Sequence, residues 1–284
     1  RLGLDAANVL TSGWSASAWG GWPVFHLLTV WSVAALGHTP LAVRLPDALA
    51  GVLYAPALFL LGRQLGGTRL GMMAGLLGAV TFWHADATRA AWGYVSWGLT
   101  CEALALALLA RAARRPEHTL TGFAGLTFGL ALQVSWSALV VLGIGAVLFW
   151  SLLDPDQRSG RRLGAILAPF LVYFAVAAGP IAIGLCVPDP PTDLAGADSS
   201  GAVSLAGSPI GFWRLPLMFN VAGDPRPLHG LRGEAMLDAV TAALLIVGIG
   251  LALARWRSRS GLLVAWLIAA LVPIAVTGHG PQPD

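Results

Sequence analysis

The sequence has no lysine and few charged residues of any kind. Of its 284 residues only 11% are charged, while 56% are hydrophobic, and the mean hydropathy is +0.72. A soluble domain usually carries about 25% charged residues, so the composition indicates an integral membrane protein. The 17 basic residues are all arginine, whose planar guanidinium suits the binding of phosphate.

Other absences exclude further classes of function. The two cysteines, Cys101 and Cys186, lie in apolar runs, so they predict neither a disulfide framework nor a metal site. The arginines are scattered over short loops instead of forming one stripe, which argues against nucleic-acid binding. No phosphate loop, dinucleotide-binding glycine pattern or metal-spaced histidine pair is present. We therefore expect no nucleic-acid partner and no cofactor, with a divalent metal left open.

Long apolar runs fill most of the chain. A bilayer crossing needs about 20 residues, so we predict an all-α polytopic membrane protein with eight or nine membrane helices. We expect residues 1–284 to form a single membrane domain that is a fragment of a longer chain. The predicted runs fall at about 23–37, 45–62, 70–85, 93–110, 119–133, 136–153, 163–186, 238–254 and 260–277.

The loop arginines predict a consistent orientation. Loops at 111–115, 158–162 and 255–259 carry arginines and are two crossings apart, so all can be cytoplasmic under the positive-inside rule. The arginine-containing loop at 63–69 joins them. Residues 187–236 then form one long outer loop.

Several ionisable residues fall at or near membrane depth, where such groups are functional candidates. By the predicted orientation Asp86, Arg89 and His279 reach the outer side. Glu102 lies about two turns inside its helix and is the most deeply placed acid. For Glu102 we expect a packing hydrogen bond to a neighbouring helix.

Three stretches of the chain carry recognisable motifs. They read "GHTPLAVRLPDALAGVLYAPALFLLGRQLGG" (37–67), "LLGAVTFWHADATRAAWGY" (76–94) and "MFNVAGDPRPLHGLRGEAMLD" (218–238). The first resembles the signature Ala-x-Arg-Leu-Pro-Ser-Ala-Leu-x-Gly of C-type (GT-C) membrane glycosyltransferases, in the protein-mannosyltransferase-like group. The second resembles that group's Phe-Trp-His-x-x-x-Ser-Arg-x-Gly segment, with Thr88 in place of serine. The third resembles an outer loop of a bacterial subgroup.

The resemblance implies inverting transfer of a sugar from a polyprenyl phosphate at the outer membrane face. In such a reaction the acceptor hydroxyl must lose its proton as it attacks C1, and the departing phosphate needs cationic donors nearby. The resemblance therefore makes Asp5 the candidate catalytic base. The candidate residues for binding the donor phosphate are Arg89, Arg226, His229 and Arg232.

The first outer loop of the family often reads Asp-Glu-Ala-Ala-Asn, whereas this chain has "GLDAANVL". Alignment on Ala-Ala-Asn places Asp5 at the glutamate position and Leu4 at that of the catalytic aspartate. A shift by one residue makes Asp5 the base and leaves Ala6 at the glutamate position. One carboxylate of the pair is absent in both alignments. The family also places this loop outside, which requires that the 15-residue run 23–37 lie in the interface or re-enter instead of crossing.

Two functions remain open from the sequence. The first is a glycosyltransferase of the bacterial inner membrane, whose partners are the lipid bilayer and a polyprenyl-phosphate sugar. The alternative is a catalytically degenerate relative that serves as a structural subunit, with other membrane proteins as partners. The missing carboxylate and the uncharged hairpin "LQVSWSALVVLG" (132–143) favour the alternative. The motif resemblance favours the enzyme, which is our prediction. A transporter is a weaker third reading, because no paired broken helices are apparent.

Overall fold

The computed structural model describes residues 23–81, 84–85, 88, 95–115, 117–134, 137–186 and 239–254. Within these ranges every regular element is a helix and no strand is present, which confirms the predicted all-α class. A short 3₁₀ turn, Pro155–Arg158, separates two of the helices. The α-helices are α1 (Pro23–Leu36), α2 (Pro40–Val80), α3 (Val95–Arg114), α4 (His118–Val134), α5 (Ser137–Leu152), α6 (Gly160–Cys186) and α7 (Ala239–Ala254).

α2 is a helical hairpin rather than one straight rod. Its backbone leaves the helical region at Gly67, where φ is +85°, a conformation that glycine adopts without steric cost. The two arms then pack side by side. A β-carbon built on Gly71 would lie 2.6 Å from the carbonyl oxygen of Phe59, and one on Gly75 would lie 3.1 Å from that of Ala55. Small residues at these positions allow the two backbones to approach closely.

The hairpin matches two of the predicted apolar runs, 45–62 and 70–85, with the reversal between them. Among the described residues, α2 and the segment Leu163–Ile181 of α6 contain stretches long and apolar enough to cross a membrane. Three shorter apolar helices accompany them, within α1, α5 and α7. The structure therefore fits a membrane protein built from several apolar helices. The number of eight or nine crossings stays a prediction, and the run 260–277 lies outside the described residues.

The remaining helices form a bundle around α3. The first arm of α2 and α3 run in the same direction, because Thr100 bonds near Ala50 and Arg114 reaches Gln64. α4 returns antiparallel to α3, and α5 packs against both of them. Gly145 of α5 faces the apolar side chains of α3 and α4.

The contact between α4 and α6 is the most extensive in the bundle. Gly125 of α4 lies directly against the backbone of Phe170 in α6. Near one end of the pair, the buried Gln133 donates its Nε2 hydrogen to the carbonyl oxygen of Ala177 at 2.6 Å. Glycine contacts and an amide hydrogen bond are the interactions that hold helices together where lipid supplies no hydrophobic driving force.

All but one of the exposed arginines in the described residues lie at one end of the bundle, which we call the arginine end; the exception is Arg44, near the start of α2. Arg114 donates to Gln64 Oε1 at 3.4 Å across two neighbouring turns. Arg158 donates to the carbonyl oxygens of Trp150 and Leu153 at 3.2 Å each and so caps the C-terminus of α5. This end holds the exposed arginines Arg63, Arg69, Arg111, Arg114, Arg115 and Arg158. The sequence predicts that these loops share one side.

α1 has both of its ends at the other end of the bundle. Phe25 packs on Trp97 with ring centroids 5.5 Å apart, and the backbone nitrogen of Val24 approaches Gln133 Oε1 at 3.5 Å. α1 ends at Leu36, just before α2 begins at Pro40. Its 14 residues span only about 21 Å, less than the hydrocarbon thickness of about 30 Å. The expectation that 23–37 does not cross stays a prediction.

The chain divides into two compact units. The first contains residues 1–80 and 84–189 and includes helices α1 to α6. The second contains residues 81–83 and 190–284, of which the structure describes Thr81 and α7. α7 is a 16-residue apolar helix over the predicted run 238–254. Residues 187–236 lie outside the described ranges, so the outer loop stays a prediction. The assignment of residues 1–284 to a single membrane domain also stays a prediction.

Candidate functional site

A group of polar side chains is buried at the end of the bundle away from the arginine end. We call it the polar cluster. Its members come from the first arm of α2, from positions 84 and 88, and from α3. Asp47 is 2% exposed, His84 is 5% exposed and Glu102 is 7% exposed. The full set is the partly buried Tyr54 and the buried residues Asp47, His84, Thr88, Ser96, Thr100 and Glu102. Burial of so many polar groups in an apolar helical protein costs free energy, so these residues are candidates for a functional site.

One face of α2 supports the cluster. Positions 47, 51 and 54 are spaced by four and three residues, so they lie one above another on the helix. Gly51 occupies the middle position and receives Thr88, because a β-carbon there would lie 2.6 Å from Thr88 Cγ2. The hydroxyl of Thr88 donates to the carbonyl oxygen of Ala85 at 2.8 Å and closes a turn within its own segment.

His84 packs on the ring of Tyr54. The two ring centroids are 4.1 Å apart and the planes are inclined by 33°. Both ring nitrogens of His84 are buried and form no hydrogen bond of ordinary geometry with the described residues, although the backbone of Gly51 interacts with the imidazole.

α3 closes the cluster from the other side. The Thr100 hydroxyl lies 3.0 Å from the carbonyl oxygen of Ala50 on α2 and 2.7 Å from that of Ser96 on its own helix. Glu102 lies within electrostatic reach of the Tyr54 hydroxyl. Its burial next to α2 is consistent with the expected packing role between helices. These contacts hold α3 against α2 next to Gly51.

The residues proposed from the sequence as catalytic or substrate-binding all lie outside the described residues. They are Asp5, Arg89, Arg226, His229 and Arg232. The same holds for Asp86 and His279. The structure describes Thr88, the immediate neighbour of Arg89 in the chain, and places it in the polar cluster. The assigned roles of these residues stay predictions.

Sequence reasoning singled out Thr88 and Glu102 but missed the other five members of the cluster, which are Asp47, Tyr54, His84, Ser96 and Thr100. A usable signal was present for Asp47, which is an acid inside an apolar run, at the position where the related signature has serine. Its helical spacing to Gly51 and Tyr54 predicts a shared face. Nothing local to the sequence pairs that face with residues 84–88, because the contact forms only when the hairpin returns beside α3.

The two motif stretches at 37–67 and 76–94 thus meet in space. A protein-family model described as dolichyl-phosphate-mannose-protein mannosyltransferase matches residues 22–182, more than half of the chain. The chain belongs to this family. The match includes both motif stretches that build the polar cluster, whereas residues 218–238 lie beyond it. No curated protein and no solved structure matches the chain.

Membership of this family makes the chain an integral membrane protein of the glycosyltransferase type. The apolar helices fit this assignment. Among the described residues, no group of three His, Cys, Asp or Glu side chains is close enough to hold a metal ion. The expectation of no cofactor, with a divalent metal left open, stays a prediction.

Proposed function

We propose that the protein transfers a sugar from a polyprenyl-phosphate donor to an acceptor at the outer face of a bacterial inner membrane. The observation that carries the proposal is the meeting of the two family motif stretches in one buried polar cluster, within a chain that belongs to the family. A polar site embedded beside apolar helices suits a substrate with a phosphate head and a lipid tail. Lipid and this donor are accordingly the proposed partners.

The distribution of arginines supports the proposed membrane face. Cytoplasmic loops of membrane proteins carry an excess of arginine and lysine, and six of the seven exposed arginines of the described residues gather at the arginine end, with Arg44 the exception. The polar cluster lies toward the opposite end of the same bundle. With the arginine end in the cytoplasm, the cluster opens toward the outer side.

The proposed reaction is a single displacement at the sugar. The acceptor hydroxyl oxygen attacks C1, the bond between C1 and the phosphate oxygen breaks, and polyprenyl phosphate leaves with the bonding electrons. Asp5 is proposed to take the hydroxyl proton, a role for which a positioned carboxylate is suited. Arg89, Arg226, His229 and Arg232 are proposed to stabilise the charge on the departing phosphate by charge-assisted hydrogen bonds.

The test uses the complete chain in membranes, supplied with radiolabelled polyprenyl-phosphate mannose and with other polyprenyl-phosphate sugars. We expect transfer of label to an acceptor in the membrane fraction. Asp5→Asn is expected to lower the rate by about 100- to 10,000-fold, the usual contribution of general base catalysis. Asp154→Asn is the matched control, because Asp154 is an exposed acid at the arginine end.

The outcomes separate the proposals. Transfer that survives Asp5→Asn would remove Asp5 as the base but leave the transferase in place. Absence of transfer from every donor would refute the enzyme and leave the structural subunit, which the family match does not favour. In that case the protein should copurify with other membrane proteins in a fixed ratio.

A further inference from the structure

Two neighbouring turns at the arginine end carry a concentrated positive charge. Arg63 and Arg69 flank the turn of the α2 hairpin, and three further arginines lie at or just after the end of α3. Arg114 donates to Gln64 Oε1 at 3.4 Å, which holds the two turns side by side. We call this set the arginine patch. Its members, all exposed, are Arg63, Arg69, Arg111, Arg114 and Arg115.

The close packing of the two α2 arms keeps the hairpin arginines together. A β-carbon on Gly71 would lie 3.2 Å from Cβ of Arg63, so Arg63 rests against the second arm. Arg69 lies on that arm, two residues before Gly71. The stems of Arg63 and Arg69 therefore leave the backbone at neighbouring points of the surface.

The charge of the arginine patch is hardly balanced by acids. Residues 62–70 and 111–118 together contain one acid, Glu117. The turn that contains Arg158 differs, because it also holds two aspartates and its arginine already donates to two carbonyl oxygens. The arginine patch therefore attracts anions, and the planar fork of the guanidinium matches the oxygens of a phosphate.

Exposed apolar side chains continue directly from the arginine patch along the second arm. Met72, Met73 and Leu76 follow Arg69 by three, four and seven residues, so they share one face of the helix with it. Their exposed fractions are 54%, 62% and 67%. The face from Arg69 to Leu76 is about 10 Å long, which fits within the roughly 15 Å depth of one leaflet. A ligand that uses both features has an anionic head and a hydrocarbon chain.

We propose that the arginine patch and this apolar face of the second arm bind an anionic phospholipid of the surrounding membrane. The headgroup phosphate accepts hydrogen bonds from the guanidinium groups, and an acyl chain lies along Met72, Met73 and Leu76. Each arginine close to an anionic lipid surface raises the affinity by about fivefold, so the charge of the headgroup selects the lipid. The proposal goes beyond sugar transfer and does not depend on it, since lipid binding is measured without a donor.

The first test compares two lipids on the complete membrane protein in a nonionic detergent, by native mass spectrometry. Dioleoyl phosphatidylglycerol and dioleoyl phosphatidylcholine have the same chains, and only the first carries a net negative charge. We expect phosphatidylglycerol to bind at least about tenfold more tightly, because two or more arginines engage its headgroup. Equal affinities would overturn the proposal. Glycerol 3-phosphate at the same concentration should not displace the lipid; displacement would identify a site for a water-soluble phosphate and would overturn the lipid assignment.

The second test removes charge from the arginine patch. Arg69→Gln should lower the affinity for phosphatidylglycerol about fivefold, and Arg63→Gln/Arg69→Gln about 25-fold. Arg44→Gln is the matched control, because Arg44 is an exposed arginine near the start of α2 and away from the patch. Its affinity should equal that of the unaltered protein. An equal fall in Arg44→Gln and Arg69→Gln would show that only the net charge of the protein matters.

Lysine variants separate loss of the site from a change of orientation in the membrane. Arg63→Lys/Arg69→Lys keeps the positive charge that orients the chain, and its affinity for phosphatidylglycerol should stay within about twofold of the unaltered protein. This comparison also decides the proposal if the glutamine variants fail to fold. A loss as large as that expected for glutamine would overturn charge attraction as the basis of binding.

The place of the acyl chain has its own test. Phosphatidylglycerol with a diazirine in one acyl chain is photolysed on the protein, and the labelled peptides are identified by mass spectrometry. The peptide that contains Met72 and Met73 should carry the most label, and Arg63→Gln/Arg69→Gln should reduce it. Equal labelling of other exposed apolar side chains, such as Leu171 and Val176 of α6, would indicate unselective lipid contact and overturn the proposal.

Discussion

Alanine at position 71 would force the two arms of the α2 hairpin apart. A β-carbon on Gly71 lies 2.6 Å from the carbonyl oxygen of Phe59 and 3.0 Å from the backbone nitrogen of Arg63. Both neighbours are main-chain atoms of a helix and cannot rotate away as a side chain could. Relief requires movement of one arm by about 0.8 Å, the distance to an ordinary contact of 3.4 Å.

The expected cost follows from this geometry. Overpacking of this kind typically costs about 1–3 kcal/mol. When one arm moves away, the other contacts between the arms lengthen, and a gap of about 0.5–1 Å removes a quarter to a half of the dispersion attraction of each contact. Part of this loss of stability is offset, because alanine stabilises a helix by about 1 kcal/mol relative to glycine. Gly143→Ala has the same propensity gain and no steric cost. The difference between the two variants therefore isolates the steric term, about 1–3 kcal/mol.

Cys101 provides the reporter for this measurement. Its thiol is free and only 7% exposed, so a thiol-reactive dye labels it when the bundle opens on heating. The assay uses detergent-solubilised protein in a Cys186→Ala background. A difference of 1 kcal/mol corresponds to about 2–4 °C for a domain of this size. We expect Gly71→Ala to unfold at least about 2 °C below Gly143→Ala. Equal or reversed unfolding temperatures would refute the close packing of the arms.

Two further predictions use the same assay. Gln133→Leu should lower the stability by about 0.5–2 kcal/mol, because it removes the 2.6 Å hydrogen bond to Ala177; an unchanged unfolding temperature would mean that this bond contributes nothing net. His84→Leu removes the ring contact with Tyr54 and should lower the stability by about 0.5–1.5 kcal/mol. His84→Phe keeps a ring on Tyr54 and should retain most of it; equal unfolding temperatures for the two variants would show that the ring contact contributes nothing.

Composition and the positions of the apolar runs were sufficient for the class of the protein and most of its helices. The scarcity of charge predicts a membrane protein, and the apolar runs fall on the helices from α1 to α7. The reversal within α2 was also readable, because Gly66 and Gly67 lie between two arginines where the runs break. These features are local, since helix formation and helix termination depend on neighbours within a few residues.

The family motifs were likewise readable as strings of residues, and the family match over residues 22–182 confirms the resemblance. The catalytic and binding roles assigned to residues in and near these motifs stay predictions. The short run 23–37 predicted a segment that does not cross, and α1 has both ends at one end of the bundle. Here the length of the run carried the information, because too few residues cannot span the hydrocarbon layer.

The composition of the polar cluster was decided only by tertiary structure. Asp47, Gly51 and Tyr54 share a face by helical spacing alone, but the sequence does not say what that face meets. Thr88 and His84 reach it because the α2 hairpin returns the chain to the same end, where these two side chains pack on the first arm. A helix face is set by the 3.6-residue repeat, whereas its partner is set by packing between segments far apart in the chain. The sequence by itself therefore determined the membrane class, most of the helices and the family. The tertiary structure decided which residues of the two motif stretches lie close together.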